Sequence, residues 1–360
     1  MTLTAVKTKT SCGNFFEDFH VGQVIRHGTP KTINEGDTAL YTALYGSRFA
    51  VQSGTAFAET IGYPYYPLDD LLVFHVVFGK TVGDISLNAV ANLGYSDCRF
   101  LMPVYAGDTV SATSEVIGLK ENSNGKTGVV YVRSTGYRHK EPGNPEKVLE
   151  YTRWVMVKKR DENASAPETT LPDLPDGISE DCLGQAVPEL SIDDWDFDLS
   201  GSPFRFDDYE VGEKIDHVDG MTVEEAEHQL ATRLYQNTAK VHFNHHSEKN
   251  SRFGKRLIYG GHVISLARAL SFNGLGNAFH ITGINAGRHV APLFAGDTVY
   301  AWSEVLDKKR IEGRSDIAAL RLRLVATKDL ICGDFPYKNE DGKYQDSVIL
   351  DLDYWVVIPV

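Results

Sequence analysis

Two parts of this chain, about 190 residues apart, carry the same text. FFEDFHVGQVI from Phe15 matches RFDDYEVGEKI from Arg205 at an offset of 190, and AGDTVSATSEV from Ala106 matches AGDTVYAWSEV from Ala295 at an offset of 189. Colinear anchors of this kind mean an internal duplication, so the fold must be one unit used twice. Trp154 and Trp355 extend the match at an offset of 201, which places an insertion of about twelve residues, the polar YKNEDGKYQD stretch, in the second copy.

The copies are separated by an acidic segment. Between Asp161 and Asp198 there are twelve acidic residues, four prolines and no Lys or Arg, the composition of a linker without a core of its own. Trp195 and Phe197 offer it a means of docking onto a domain. The expected organisation is a unit over 1–160, a linker over 161–202 and a second unit over 203–360. This segment also accounts for nearly all of the net charge of −13, leaving about −1 elsewhere, so an anionic small molecule remains admissible while nucleic acid is not indicated.

Within each copy the elements follow the same order. Thr32-x-x-Glu35 and Thr222-x-x-Glu225 read as capping boxes opening helices on which Leu40 and Leu44, or Leu230 and Leu234, lie four apart. In the second copy GGHVISLARALSF spaces Val263, Ile264, Ala267 and Leu270 as a buried helix does, with Gly260 and Gly261 at its start. Runs such as YAWSEVL, IAALRLRLVATK and SVILDLDYWVVI then read as long strands, and Gly-Asp before Thr marks a turn into one. Helices followed by antiparallel strands make each half α+β. No apolar run of membrane-spanning length and no signal sequence is present, which reads as a cytoplasmic protein. The four scattered cysteines indicate neither a disulfide framework nor a zinc site.

The candidate chemistry lies in LYQNTAKVHFNHH, Leu234 to His246. Here QNTAKVH resembles the signature Gly-Asp-x-Asn-Pro-aliphatic-His of the MaoC-type dehydratase and (R)-specific enoyl-CoA hydratase family. LIYGGHVISLARAL resembles that family's Ala-His-Gly-Met opening of its central helix, and RHVAPLFAGDTV its strand-turn-strand. The resemblance covers nearly the whole chain outside the linker. It implies two tandem hotdog domains, each an antiparallel sheet wrapping a central helix, forming an intrachain pseudo-dimer, with room for a homodimer or higher homo-oligomer. It implies a hydro-lyase acting on an acyl-CoA thioester, with coenzyme A carried by the substrate and no cofactor or metal. A branched dicarboxylic acyl group, 2-methylfumaryl-CoA going to β-methylmalyl-CoA, is the expected substrate. His242 takes the position of the family's catalytic histidine and Gly261 that of the amide facing the thioester oxygen. Asn237 stands where the family has Asp; an amide can orient a water but cannot accept its proton.

Water addition to an α,β-unsaturated thioester needs a base for the water, stabilisation of the enolate oxygen and a proton for the α-carbon. A near-neutral imidazole serves the first and third, and amides at a helix N-terminus serve the second. A substrate carboxylate needs a cation; Lys240, Arg252 and Arg256 are the candidates, with Gly260 beside the thioester. His245 and His246 read as solvated side chains. Aligned at 190, the first copy has Ser47 and Gln52 at the two catalytic positions, neither of them a base at neutral pH. An offset of 187 sets His75 beside His262 and Phe74 beside Gly261. The first half is therefore expected to be non-catalytic. Competing readings are an (R)-specific hydratase for fatty enoyl-CoA, an acyl-CoA thioesterase using Glu248, and a binding protein for CoA thioesters.

Overall fold

A computed structural model describes residues 9–140 and 143–360. In the first half, β1 (Val24–Arg26) and β2 (Lys31–Thr32) lead into α1 (Glu35–Tyr45), α2 (Ala50–Ser53), α3 (Thr55–Thr60) and the central α4 (Asp70–Thr81). Four long strands follow: β3 (Ala89–Phe100), β4 (Thr109–Glu121), β5 (Thr127–His139) and β6 (Glu146–Lys158). The second half repeats the order with β7 (Lys214–Thr222), α5 (Glu225–Leu234), α6 (Lys240–Phe243), α7 (His245–Glu248), the central α8 (Gly260–Leu270), α9 (Phe272–Leu275), β8 (His280–His289), β9 (Thr298–Arg310), β10 (Ile317–Lys328) and β11 (Val348–Pro359). The insertion shows as the long connection from Lys328 to Val348, where Lys140 to Glu146 suffices in the first half.

The helices do not start as the sequence predicts. Thr32 and Thr222 end strands, and their hydroxyls bond across to Thr109 and Thr298, at 2.8 and 2.9 Å. The capping box of α1 is instead Asn34 with Asp37, and α5 begins at Glu225 after an N-cap, Glu224, that makes no side-chain cap. The threonines recur because the first residue of each Gly-Asp-Thr strand needs a cross-strand partner, a sheet constraint that a four-residue helix signature imitates.

All strands belong to one antiparallel sheet, ordered β1-β4-β5-β6-β3-β8-β11-β10-β9-β7, with β2 beside β4. The two halves join where β3 pairs β8, in the register Tyr95↔Gly287, Ser96↔Ala286 and Cys98↔Ile284. Ser96 and Ala286 differ by 190, so equivalent residues face each other and a pseudo-two-fold axis passes between them. Two further pairs at the same separation lie on that axis: the Tyr235 hydroxyl donates to the Tyr45 hydroxyl at 2.7 Å, and His75 Nε2 lies 2.9 Å from Ser265 Oγ. These self-contacts fix the offset in the central helices at 190 rather than 187. His75 is therefore the counterpart of Ser265, Leu71 of Gly261, and Asp69 of Tyr259.

Segment 161–202 runs first along the first half, where Thr170 bridges Leu119 of β4, and then crosses the outer face of the second half. Ile178 and Leu183 pack against Ala319 and Trp355, while Val187, Leu190 and Trp195 join Phe57, Ile61, Phe279 and Val357. Sheet side chains hold its backbone: Asn285 Oδ1, Thr282 Oγ1 and Asp316 Oδ2 accept from the amides of Ile178, Gly184 and Leu190. Cover on this side explains why β10 and β11 are buried along nearly their whole length and read as continuous apolar runs.

Gly79 of α4 is where the first half's central helix meets the loop after α5. A Cβ there would stand 1.9 Å from the Tyr235 carbonyl oxygen, a backbone atom. Gly79→Ala is expected to lower stability by about 2 kcal/mol or more, seen as a lower midpoint in thermal or urea melts; an unchanged midpoint would mean the two halves approach less closely than this.

Candidate active site

Helix α5 ends because Gln236 adopts a left-handed backbone, φ 56°. The Asn237 amide then returns to the Thr232 carbonyl at 2.9 Å, a closure that satisfies an end-of-helix carbonyl. Asn237 is buried, and its Oδ1 accepts from the Ala239 amide at 3.1 Å. That contact requires oxygen there, so Nδ2 is the free end, and it has no partner within the protein. His242 follows in α6, tied to the segment that leads into α8. Leu257 donates its amide to the Val241 carbonyl at 3.0 Å, and His242 Nδ1 lies 2.9 Å from the Leu257 carbonyl. A carbonyl can only accept, so Nδ1 carries the proton and the lone pair sits on Nε2. Burial lowers the His242 pKa to about 4, which keeps the ring neutral near pH 7.

The ring is the outer member of a buried histidine and tyrosine cluster. It contacts Tyr259, ring centroids 5.5 Å apart, and His228 at 5.9 Å. His228 Nε2 accepts the Tyr259 amide at 2.9 Å and its ring packs on His262 at 5.4 Å. Tyr235 donates to Tyr45, which leaves the Tyr45 hydroxyl to donate to His262 Nδ1 at 2.8 Å. Burial depresses the pKa of His75 and His262 to about 3 and that of His289 to about 4.

The two glycines opening α8 are hemmed in by these rings. A Cβ on Gly260 would lie 2.4 Å from the His289 ring, and one on Gly261 would lie 2.4 Å from Tyr259 and 2.5 Å from His75. Glycine here thus admits imidazole and phenol rings, a tighter constraint than the approach of a thioester. The N-cap, Tyr259, makes no side-chain cap; the His262 amide donates to the Tyr259 carbonyl at 2.9 Å, while the amides of Gly260 and Gly261 come too early in the helix to find an acceptor within it.

The first half has closed its version of the same feature. Asp69, at the place of Tyr259, caps α4 by accepting from the Leu71 amide at 2.9 Å. Its pKa is raised to about 6 by burial and by neighbouring Asp70. Ser47 leans on Asp69 Oδ2 at 3.5 Å, and Gln52 donates Nε2 to the Phe279 carbonyl at 2.8 Å. Of the predicted cations, Lys240 and Arg252 are exposed, and Arg256 is paired with Glu225 at 2.8 Å. His245 and His246 are exposed.

Residues 1–330 match the mesaconyl-CoA hydratase family. This chain belongs to that family. It is 61% identical to the β-methylmalyl-CoA dehydratase of Chloroflexus aurantiacus, over 98% of this chain and 99% of that one. It is 57% identical to the mesaconyl-CoA hydratase of Cereibacter sphaeroides, again over 98% and 99%. A solved MaoC-domain dehydratase of Chloroflexus aurantiacus superposes with a TM-score of 0.94 at 62% identity, covering 98% of this chain and 99% of that one. A Mycobacterium tuberculosis protein described as a double hotdog fold gives 0.70 at 24% identity, with 97% and 99% covered, a likeness of fold alone.

Sequence reasoning singled out His242 as the candidate base in this mesaconyl-CoA hydratase family member, named His75 and His262 only as alignment partners, and passed over His228 and His289. The signal was present: His228, Ala231, Thr232 and Tyr235 form one helical stripe, and all are buried. A titratable residue on such a stripe requires a polar partner in the core.

These histidines make folding sensitive to acid. His75, His262 and His289 each bind a proton near pH 6.5 when unfolded but only near pH 3 to 4 when folded, and burial depresses His228 in the same direction. The unfolded chain therefore holds more protons between those limits, and stability falls as pH drops below 6.5. The loss is about 2 kcal/mol per histidine at pH 5. Melting temperatures are expected to fall steeply between pH 7 and 5, less so in His262→Gln; equal slopes in both proteins would remove His262 from the account.

Proposed function

We propose that this chain reversibly hydrates 2-methylfumaryl-CoA (mesaconyl-C1-CoA) to β-methylmalyl-CoA, with one active site per chain, in the second half. The observation that carries this reading is the His242 Nδ1 contact with the Leu257 carbonyl, which leaves Nε2 as a base held against the segment that opens α8. Two relatives covering 98% of the chain have names that state this pair of compounds.

In the hydration direction, a water rests on Nε2 of His242 and on Nδ2 of Asn237, which donates to the water oxygen. The oxygen bonds to the β-carbon while Nε2 takes a water proton. The π electrons move to the thioester oxygen, where the amide of Gly261 and the helix dipole meet the developing charge. The imidazolium then returns its proton to the α-carbon, so one water is added and the base is regenerated. Coenzyme A arrives on the substrate, and neither metal nor cofactor enters any step. The exposed Lys240 and Arg252 suit the CoA phosphates better than a carboxylate buried beside the double bond.

Following mesaconyl-CoA for loss of enoyl-thioester absorbance and release of free thiol tests the reaction. Loss without thiol is expected; thiol release would mean a thioesterase, and no change a binding protein. His242→Ala is expected to lower kcat by about a hundredfold or more, with the fold retained by circular dichroism, and Gln52→Ala to stay within about twofold. The reverse pattern would move the site to the first half. Because the base must be unprotonated, kcat/KM should be level across neutral pH and fall only as pH approaches about 4.

A further inference from the structure

Arg153, on β6 of the first half, is 0% exposed and faces no carboxylate among the described residues. Its Nη2 donates to Thr81 Oγ1 at 2.8 Å and to Ser86 Oγ at 3.3 Å, whereas Nε and Nη1 have no partner. The guanidinium lies over the Phe78 ring, 4.2 Å from its centroid. A guanidinium stays charged in a protein, so burying one without an anion is strongly unfavourable. Buried Arg138 and Lys159, by contrast, pair with Glu146 and Glu121.

Arg153 also stands among the rings of the active site. Phe78 beneath it packs on Tyr259 at 5.5 Å and on Tyr95 at 6.2 Å. Tyr259 contacts His242, and the Tyr95 hydroxyl lies 3.3 Å from His289, whose ring fills the space beside Gly260.

The pseudo-two-fold axis supplies an internal comparison. At an offset of 190 it relates Phe78 to Arg268 and Asp69 to Tyr259. In the first half's closed site, buried Arg268 acts on buried Asp69 and favours its ionised form. In the second half the carboxylate has become Tyr259, and the guanidinium of Arg153 has no anion. We propose that the missing anion is the substrate's own: Arg153 binds the carboxylate at the far end of the 2-methylfumaryl group and so determines specificity for a dicarboxylic acyl chain. The first half then contributes the clamp and the second half the base. This rests on the hydratase reading above.

The test compares mesaconyl-CoA with crotonyl-CoA, which has a methyl group where mesaconyl-CoA has its carboxylate. Binding is measured calorimetrically in a His242→Ala background, where turnover is slowed, and kcat/KM is measured with His242 intact. Arg153→Met keeps the length and removes an unpaired buried charge, so the free protein is expected to melt no lower. Its affinity and kcat/KM for mesaconyl-CoA should fall about a hundredfold or more, with crotonyl-CoA affinity changed less than about threefold. Arg153→Lys should keep part of the preference and serves if the methionine variant fails to fold. Equal losses on both compounds, or an undiminished preference, would overturn the clamp. If the unmutated enzyme does not hydrate mesaconyl-CoA at all, the functional reading itself fails, an outcome distinct from either.

Discussion

The antiparallel pairing of β3 with β8 is the constraint on which the rest of the molecule depends. It joins two half-sheets into one and brings both central helices onto the same concave face, so that Leu71–Phe78 and Ile258–Leu270 share a single core. A duplicated unit paired about a two-fold axis must place equivalent residues against each other near that axis. Identical contacts are available there only to groups that both donate and accept. The Tyr45 and Tyr235 hydroxyls meet this condition, and the histidine and serine at 75 and 265 solve it by differing. Nearest the axis, therefore, the copies had reason to diverge.

Divergence has gone furthest where each central helix begins. A helix N-terminus favours negative charge, whether from the chain or from a ligand. In the first half the Asp69 carboxylate occupies it permanently. In the second, Tyr259 contributes no cap and glycines take the first two positions. One fold thus holds one central helix whose start is capped by a carboxylate and one whose start is not, distinguished by a single residue. The rings around Gly260 and Gly261 then keep surrounding groups neutral, since burial depresses each imidazole's pKa.

Much of this was legible along the chain. The repeated Gly-Asp-Thr turns, the 190-residue offset and the run of apolar residues after Gly261 led to two α+β units, and the resemblance to the MaoC-type family implied their pairing and singled out His242. The misreadings have physical causes. Thr32 and Thr222 matched a helix-cap signature while serving as cross-strand partners. The acidic linker is no misreading: it docks through Trp195 as its aromatic residues suggested, and side-chain oxygens of the second half also hold it at three amides, which its lack of periodicity could not show. Alignment of the central helices slipped by three residues because Asp69 and Leu71 bear no textual likeness to Tyr259 and Gly261, and only contacts across the axis restore the register.

What the sequence alone determined was the architecture, because duplication and hydrophobic periodicity are local or colinear properties; a short motif, likewise colinear, singled out His242 as the candidate base. Which histidines lie in the core, which helix start is open, which imidazole nitrogen holds the proton and which arginine lacks an anion were decided only in three dimensions. Each depends on groups brought together from distant positions, as with Arg153 over Phe78 or His242 beside Leu257. The free energy of burying a polar group is set by such neighbours, and they have no fixed spacing in sequence.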